Sequence, residues 1–122
     1  LDQQVFNKPM ELEEQVRSQV QEAQWRMVIN SLVVCLFARA VYDVKTILEG
    51  LASLGMEKTE EELKAFGVKA LQRKHEWKKA CGFDMKAIEI PKKLFRVRTT
   101  NGLIDPVSMK KRLALYREYA GL

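Results

Sequence analysis

Apolar residues recur at three- and four-residue steps along most of the chain, which is the spacing of one face of an α-helix. The first such segment begins near Met10, after Pro9, and acidic residues fill its first turn, where the helix dipole favours negative charge. Its apolar positions are Leu12, Val16, Val20, Ala23, Met27 and Ile29. They lead into residues 32–38, which are apolar on every side. We therefore expect a long first helix that becomes buried around Cys35.

Capping residues delimit two further helices. Asp43 is suited to cap a second helix, which should end at Gly55, because glycine readily adopts the left-handed conformation found just after a helix. Thr59 and Glu62 have the spacing of a capping box for a third helix, and Gly82 should end that helix.

A different pattern follows the third helix. Residues 84–104 have no helical period and contain Pro91, so we expect an extended surface arm. Asp105 and Pro106 then form a cap and first-position pair for a last helix, which should end at Gly121. The predicted fold is all-α, with about four helices and a proline-containing arm between the third and the last.

One glycine lies inside the third helix. Gly67 costs that helix roughly 1 kcal/mol relative to alanine, so either packing holds the helix or a neighbouring backbone passes close to it, and we expect close packing.

The length and composition fit a single small domain. The chain has 122 residues, of which 47% are hydrophobic, so we expect one helical domain over residues 1–122. It starts at Leu1 and opens on a polar stretch, so residues 1–9 are interpreted as a linker and the chain as a truncated or processed piece of a larger protein. No signal peptide is recognisable and no apolar run is long enough to span a membrane, so the predicted localisation is cytoplasmic.

The net charge of +5 is unevenly distributed. Residues 69–112 contain thirteen Lys or Arg against four Asp or Glu, whereas residues 1–68 are acidic overall. Such asymmetry permits binding of nucleic acid or an acidic partner, although a solvated basic face is the simpler interpretation.

Few residues offer catalytic chemistry. The lone histidine, His75, lies among charged residues and is expected at the surface, and no nucleophile, zinc-ligand or phosphate-loop pattern occurs. The two cysteines, Cys35 and Cys81, are expected to be reduced thiols. The local pattern alone favours a structural role for Cys35 over a role as a cofactor ligand, because a buried free cysteine usually behaves as a small hydrophobic residue. We assign no catalytic residue.

Several motifs, in order, resemble the tungsten-containing aldehyde ferredoxin oxidoreductases. Asn30-Ser-Leu-Val-Val-Cys35-Leu-Phe37 resembles the family's Asp-x-x-Gly-Leu-Cys-x-Phe, and Thr59-Glu-Glu-Glu-Leu63 resembles its Thr-x-Glu-Glu-Leu. Glu76-Trp-Lys-Lys-Ala-Cys-Gly-Phe83 is similar to its Glu-Phe-Asn-x-x-Ala-Gly-Phe. Ile90-Pro91 and the ending Tyr116-Arg-Glu-Tyr-Ala-Gly-Leu122 also have counterparts. The resemblance covers nearly the whole chain, although each motif is weak alone.

The resemblance implies cofactor roles for one short segment. Cys35 would be the last of four thiolate ligands to a [4Fe-4S] cluster, and Asn30, Val33 and Val34 would lie in the segment that contacts a tungsten (or molybdenum) bis-pterin. Asn30 stands where the family has aspartate, and Val33 where it has glycine. Cys81 occupies a family alanine position and cannot replace the three missing cysteines. We expect this chain alone to retain no cofactor.

The resemblance also implies the parent's activity. The parent would oxidise aldehydes to carboxylic acids and pass electrons to ferredoxin, with this chain as an inactive C-terminal helical domain bound to the remaining domains. A membrane partner is not expected, and neither is nucleic acid. Two alternatives stay open: a helical interaction module whose basic face binds an acidic partner or nucleic acid, and a structural domain that has lost cofactor binding.

Overall fold

The computed structural model describes residues 11–99 and 102–122 and confirms an all-α fold. Within these residues the chain forms four α-helices and no strand: α1 (Leu12–Ser31), α2 (Val44–Ser53), α3 (Glu60–Ala80) and α4 (Pro106–Ala120). The predicted linker, residues 1–9, and the predicted helix start at Met10 lie outside the described residues.

The predicted caps of α2, α3 and α4 are confirmed. The Asp43 carboxylate accepts a hydrogen bond of 2.7 Å from the Thr46 backbone N–H at the start of α2. Thr59 and Glu62 form the reciprocal capping box of α3, with hydrogen bonds of 2.9 and 3.2 Å. The Asp105 carboxylate accepts from the backbone N–H of Ser108 at 2.7 Å and caps α4. These bonds satisfy backbone donors that the first turn of a helix leaves without partners.

The predicted glycine ends of these helices are also confirmed. Gly55, Gly82 and Gly121 follow α2, α3 and α4, and each has a positive φ, between 67° and 87°. Glycine adopts this left-handed conformation without the steric cost that a Cβ atom would add.

The segment between α3 and α4 is irregular. Two short 3₁₀ turns, Met85–Ala87 and Lys92–Phe95, interrupt it, and the Asp84 carboxylate accepts a hydrogen bond of 2.8 Å from the backbone N–H of Lys86. Pro91 immediately precedes the second turn, where its lack of an N–H group costs no hydrogen bond.

The chain divides into two compact units, each with buried apolar residues. We call Gln21–Lys74 the central unit, and the described residues of Leu1–Val20 and His75–Leu122 the terminal unit. The prediction of a single domain over residues 1–122 stays a prediction.

The core of the central unit contains Val28 and Ile29 from α1, Ile47 from α2 and Leu63 from α3. Partly buried hydrophobic residues pack against these four: Trp25, Leu32, Val34, Leu36, Tyr42, Val44, Leu48 and Leu51. Gly67 of α3 is buried beside α1, and a Cβ atom built on it would lie 2.6 Å from the Gln24 carbonyl oxygen. The predicted close packing at Gly67 is therefore confirmed, and the neighbour is the backbone of α1.

The terminal unit holds the first turns of α1 and the whole of α4. Lys111 Nζ forms an ion pair with Glu13 at 3.3 Å, and the Arg112 guanidinium donates to the Gln15 side chain at 2.8 Å. The Arg17 guanidinium lies 4.1 Å from the centre of the Tyr119 ring, a cation–π contact. The buried residues of this unit include Val16, Val20 and Ala120.

Candidate functional site

The candidate site lies in the loop that follows α1. The prediction of a helix through residues 32–38 is wrong, because α1 ends at Ser31 and only Leu36–Ala38 forms a 3₁₀ turn. The Val33 backbone N–H donates to the Asn30 carbonyl at 3.2 Å, and the φ angle of Val33 is +56°. A left-handed residue at this point ends the helical path of the backbone.

Val33 adopts a conformation that L-residues rarely adopt, and for a β-branched side chain it is an outlier. The position is also the one where the resembled family has glycine. Val33 therefore has a backbone conformation that glycine adopts more readily than valine.

The predicted burial of residues 32–38 is wrong as well. Leu32, Val34 and Leu36 pack against the core of the central unit, whereas the intervening residues face outward. Cys35 is exposed, and Val33 and Phe37 have exposures of 91% and 95%. The alternation explains the error, because a loop that is apolar on both sides has the same composition as a buried helix.

Cys35 lies where this loop enters the 3₁₀ turn. Its carbonyl accepts a hydrogen bond of 3.0 Å from the Ala38 backbone N–H, and its thiol is free. The loop is thereby held on both sides of an exposed thiol: by the turn that follows Cys35 and by the packing of Val34 before it. A thiol so placed can supply one thiolate to a metal centre.

The rest of a metal centre is not found in the part of the chain that the structure describes. Among residues 11–99 and 102–122, no group of three or more His, Cys, Asp or Glu residues could hold a metal ion. Cys81, the second free and exposed cysteine, follows α3 in the terminal unit. At this loop the described residues can therefore supply one thiolate ligand, from Cys35, and not the complete ligand set of a cluster.

Asn30, the other polar residue of the segment, is the second-last residue of α1 and is exposed. Its side-chain amide can donate and accept hydrogen bonds, but it carries no charge. Val33 is exposed and Val34 is half-buried, so neither residue forms an enclosed pocket with Asn30.

An open cleft of about 590 Å³ lies in the central unit, and sequence reasoning missed it. The signal available was Trp25, a large aromatic residue whose neighbours in the sequence of α1 are polar. Hydrogen bonding from the Thr46 backbone holds the Asp43 pKa below its usual value, so this side chain is charged at neutral pH. The cleft is lined by Gln21, Gln24, Trp25, Val28, Arg39, Tyr42, Asp43, Val44, Lys64 and Gly67.

Two groups of polar residues have local roles. Glu62 belongs to the capping box, and the hydrogen bond from the Thr59 backbone lowers the pKa of its carboxyl group. Glu60 forms an ion pair with Lys64 at 2.6 Å.

His75, expected at the surface, is half-buried.

No helix in the described part of the chain is both long enough and apolar enough to cross a membrane.

The family model described as "Aldehyde ferredoxin oxidoreductase, domains 2 & 3" matches residues 2–122. Searches of curated proteins and of solved structures find no significant match. The family match covers almost the entire chain, including Asn30 at the end of α1 and the loop that carries Val33 and Cys35. The chain belongs to the aldehyde ferredoxin oxidoreductase family.

Proposed function

We propose that this chain is the helical part of an aldehyde-oxidising enzyme and that Cys35 supplies one thiolate to its [4Fe-4S] cluster. The observation that carries the proposal is the exposed, free thiol of Cys35 on a fixed loop, in a chain that the family model matches over residues 2–122. In the reaction, an aldehyde and water give a carboxylic acid, two protons and two electrons, and ferredoxin accepts the electrons.

The cofactors supply oxo transfer at a tungsten or molybdenum pterin and electron relay through the cluster. This chain's own contribution is to hold ligands in place. Val34 and Leu36 anchor the loop to the core of the central unit, so that Cys35 faces outward with little freedom. Asn30 offers an amide for hydrogen bonding to the pterin. The three further cluster thiolates come from protein outside this chain, because its only other cysteine is Cys81.

A structural role without cofactors is the second candidate. Asn30 lacks the charge of the family aspartate, and Val33 places a branched side chain, 91% exposed, where the family has glycine. Both changes fall in the segment that would contact the pterin. A parent protein that holds neither iron nor tungsten would support this candidate over the first.

The test compares two cysteine variants of the complete protein that contains this chain, produced anaerobically with iron and tungstate supplied. Cys35→Ala is expected to lose most of its cluster iron and visible absorption. Cys81→Ala is the matched control, since Cys81 is also free and exposed. Because alanine is the family residue at position 81, the iron content of Cys81→Ala should equal that of the unmodified protein. Unchanged iron in Cys35→Ala would refute the ligand assignment.

A further inference from the structure

Positive charge is concentrated in one short segment of the terminal unit, residues 84–98, which we call the basic arm. It has five exposed cations, and its two acidic residues are Asp84 and Glu89. The Asp84 carboxylate accepts a hydrogen bond from the Lys86 backbone N–H. The cations are Lys86, Lys92, Lys93, Arg96 and Arg98.

Other cations of the terminal unit have internal partners. Lys111 pairs with Glu13, and Arg112 donates to Gln15. Lys78 lies 5.1 Å from the centre of the Phe83 ring. By contrast, none of the ion pairs found among residues 11–99 and 102–122 includes a cation of the basic arm. Ion pairs among the described residues therefore do not neutralise the positive charge of the basic arm.

Apolar side chains are interleaved with these cations. Ile88, Leu94 and Val97 are 39%, 43% and 53% exposed, and the only aromatic residue of the arm, Phe95, is half-buried. Proteins that bind single-stranded nucleic acid combine cations with exposed aromatic side chains on which bases stack. A surface of exposed aliphatic residues surrounded by charge is instead typical of protein–protein contacts, with an apolar centre and a polar rim.

Local structure restrains part of the arm. Pro91 fixes one backbone angle just before the Lys92–Phe95 turn, and the Arg96 backbone N–H donates to the Lys93 carbonyl at 3.1 Å. The backbone around Lys92, Lys93 and Arg96 is therefore ordered before any partner arrives, which reduces the entropy lost on binding.

We propose that the basic arm is the docking surface for an acidic protein, the ferredoxin that accepts electrons from the parent enzyme. The partner's identity rests on the proposed function, whereas its acidity follows from the charge of the arm. Complementary charge attracts the partner and orients it, and the aliphatic residues supply contact area once the two surfaces meet.

The test measures the affinity of the full chain for a purified, strongly acidic ferredoxin by calorimetry at low salt. The variant Lys92→Glu/Lys93→Glu is expected to weaken binding roughly tenfold or more, because two attractive charges become repulsive. The control, Lys69→Glu/Lys74→Glu, changes the net charge by the same amount at two exposed lysines outside the arm. Its affinity should stay within about threefold of the unmodified chain.

Three outcomes would overturn the proposal: no ferredoxin binding, equal weakening in both charge variants, or tighter binding to a short random-sequence DNA duplex or RNA than to ferredoxin. Circular dichroism of both variants establishes that they are folded. Cys35→Ala separates this proposal from the proposed function, because the arm does not include Cys35. Ferredoxin binding by that variant should be unchanged, so loss of cluster iron and loss of docking are independent results.

Discussion

Replacing Gly67 by alanine tests the closest contact between helices in the central unit. Gly67 is buried on α3, and its missing side chain leaves room for the backbone of α1. A Cβ atom built at this position would lie 2.6 Å from the Gln24 carbonyl oxygen, 3.1 Å from the Gln24 carbonyl carbon and 3.2 Å from Val28 Cγ2. The first distance is shorter than any that real Cβ atoms tolerate, so α1 or α3 has to move.

The expected change in stability is the difference between two opposing effects. Alanine has the higher helix propensity, which alone would raise the free energy of unfolding by about 1 kcal/mol. Forcing an extra methyl group into a packed contact costs about 1–3 kcal/mol. The upper part of that range applies here, because the Gln24 carbonyl belongs to a hydrogen-bonded helix backbone and cannot rotate away as a side chain could. We expect Gly67→Ala to lower the free energy of unfolding by roughly 1–2 kcal/mol.

Urea unfolding followed by far-UV circular dichroism measures this change. The matched control is Gly50→Ala in α2, where a Cβ atom would meet nothing within 4 Å. That variant should gain about 0.5–1 kcal/mol from helix propensity alone. If Gly67→Ala were as stable as the unmodified chain, or gained as much as Gly50→Ala, the close contact between α1 and α3 would be refuted.

Three further predictions concern the loop and its surroundings. Val33→Gly should raise the free energy of unfolding by up to about 1 kcal/mol, because valine at φ +56° is strained and its side chain is exposed. The control is Val41→Gly, at an exposed valine without a positive φ, which should lower the free energy of unfolding in the same urea assay. Because the Thr46 backbone N–H lowers the Asp43 pKa from 3.8, this carboxylate stabilises the fold above that pH and loses its contribution as pH falls. Asp43→Asn should therefore flatten the decline in stability between about pH 5 and pH 3, and an unchanged decline would contradict the cap. A thiol reagent without denaturant should modify both cysteines, and Cys35→Ala and Cys81→Ala should each remove one reactive thiol; protection of Cys35 would contradict its exposure.

The sequence was most informative where structure depends on local chemistry. Asp43, Thr59 and Asp105 could each be identified as caps because the hydrogen bonds they make span only three residues of chain. Gly67 could be assigned to a close contact because a glycine inside a strong helical pattern needs a compensating reason. In each case neighbouring residues contain the whole physical argument.

Residues 32–38 were predicted wrongly because their pattern is compatible with two structures. A run that is apolar at every position fits a buried helix, and it equally fits a loop with one side on a core and the other side exposed. The conformation of Val33 decides between them, and valine is among the residues least expected at positive φ. The open cleft was missed for a related reason, since its lining comes from several segments and has no signature in any one of them.

The backbone turn at Val33 is a feature that hydrophobic periodicity does not report. A family glycine at the position of Val33 indicates a backbone turn, and the structure has a left-handed residue there despite the valine. A strained residue of this kind persists only where its surroundings over-determine the backbone. Leu32, Val34 and Leu36 provide that restraint by packing on the core of the central unit. The inward-facing residues therefore preserve the turn, and Cys35, which follows the turn, is exposed.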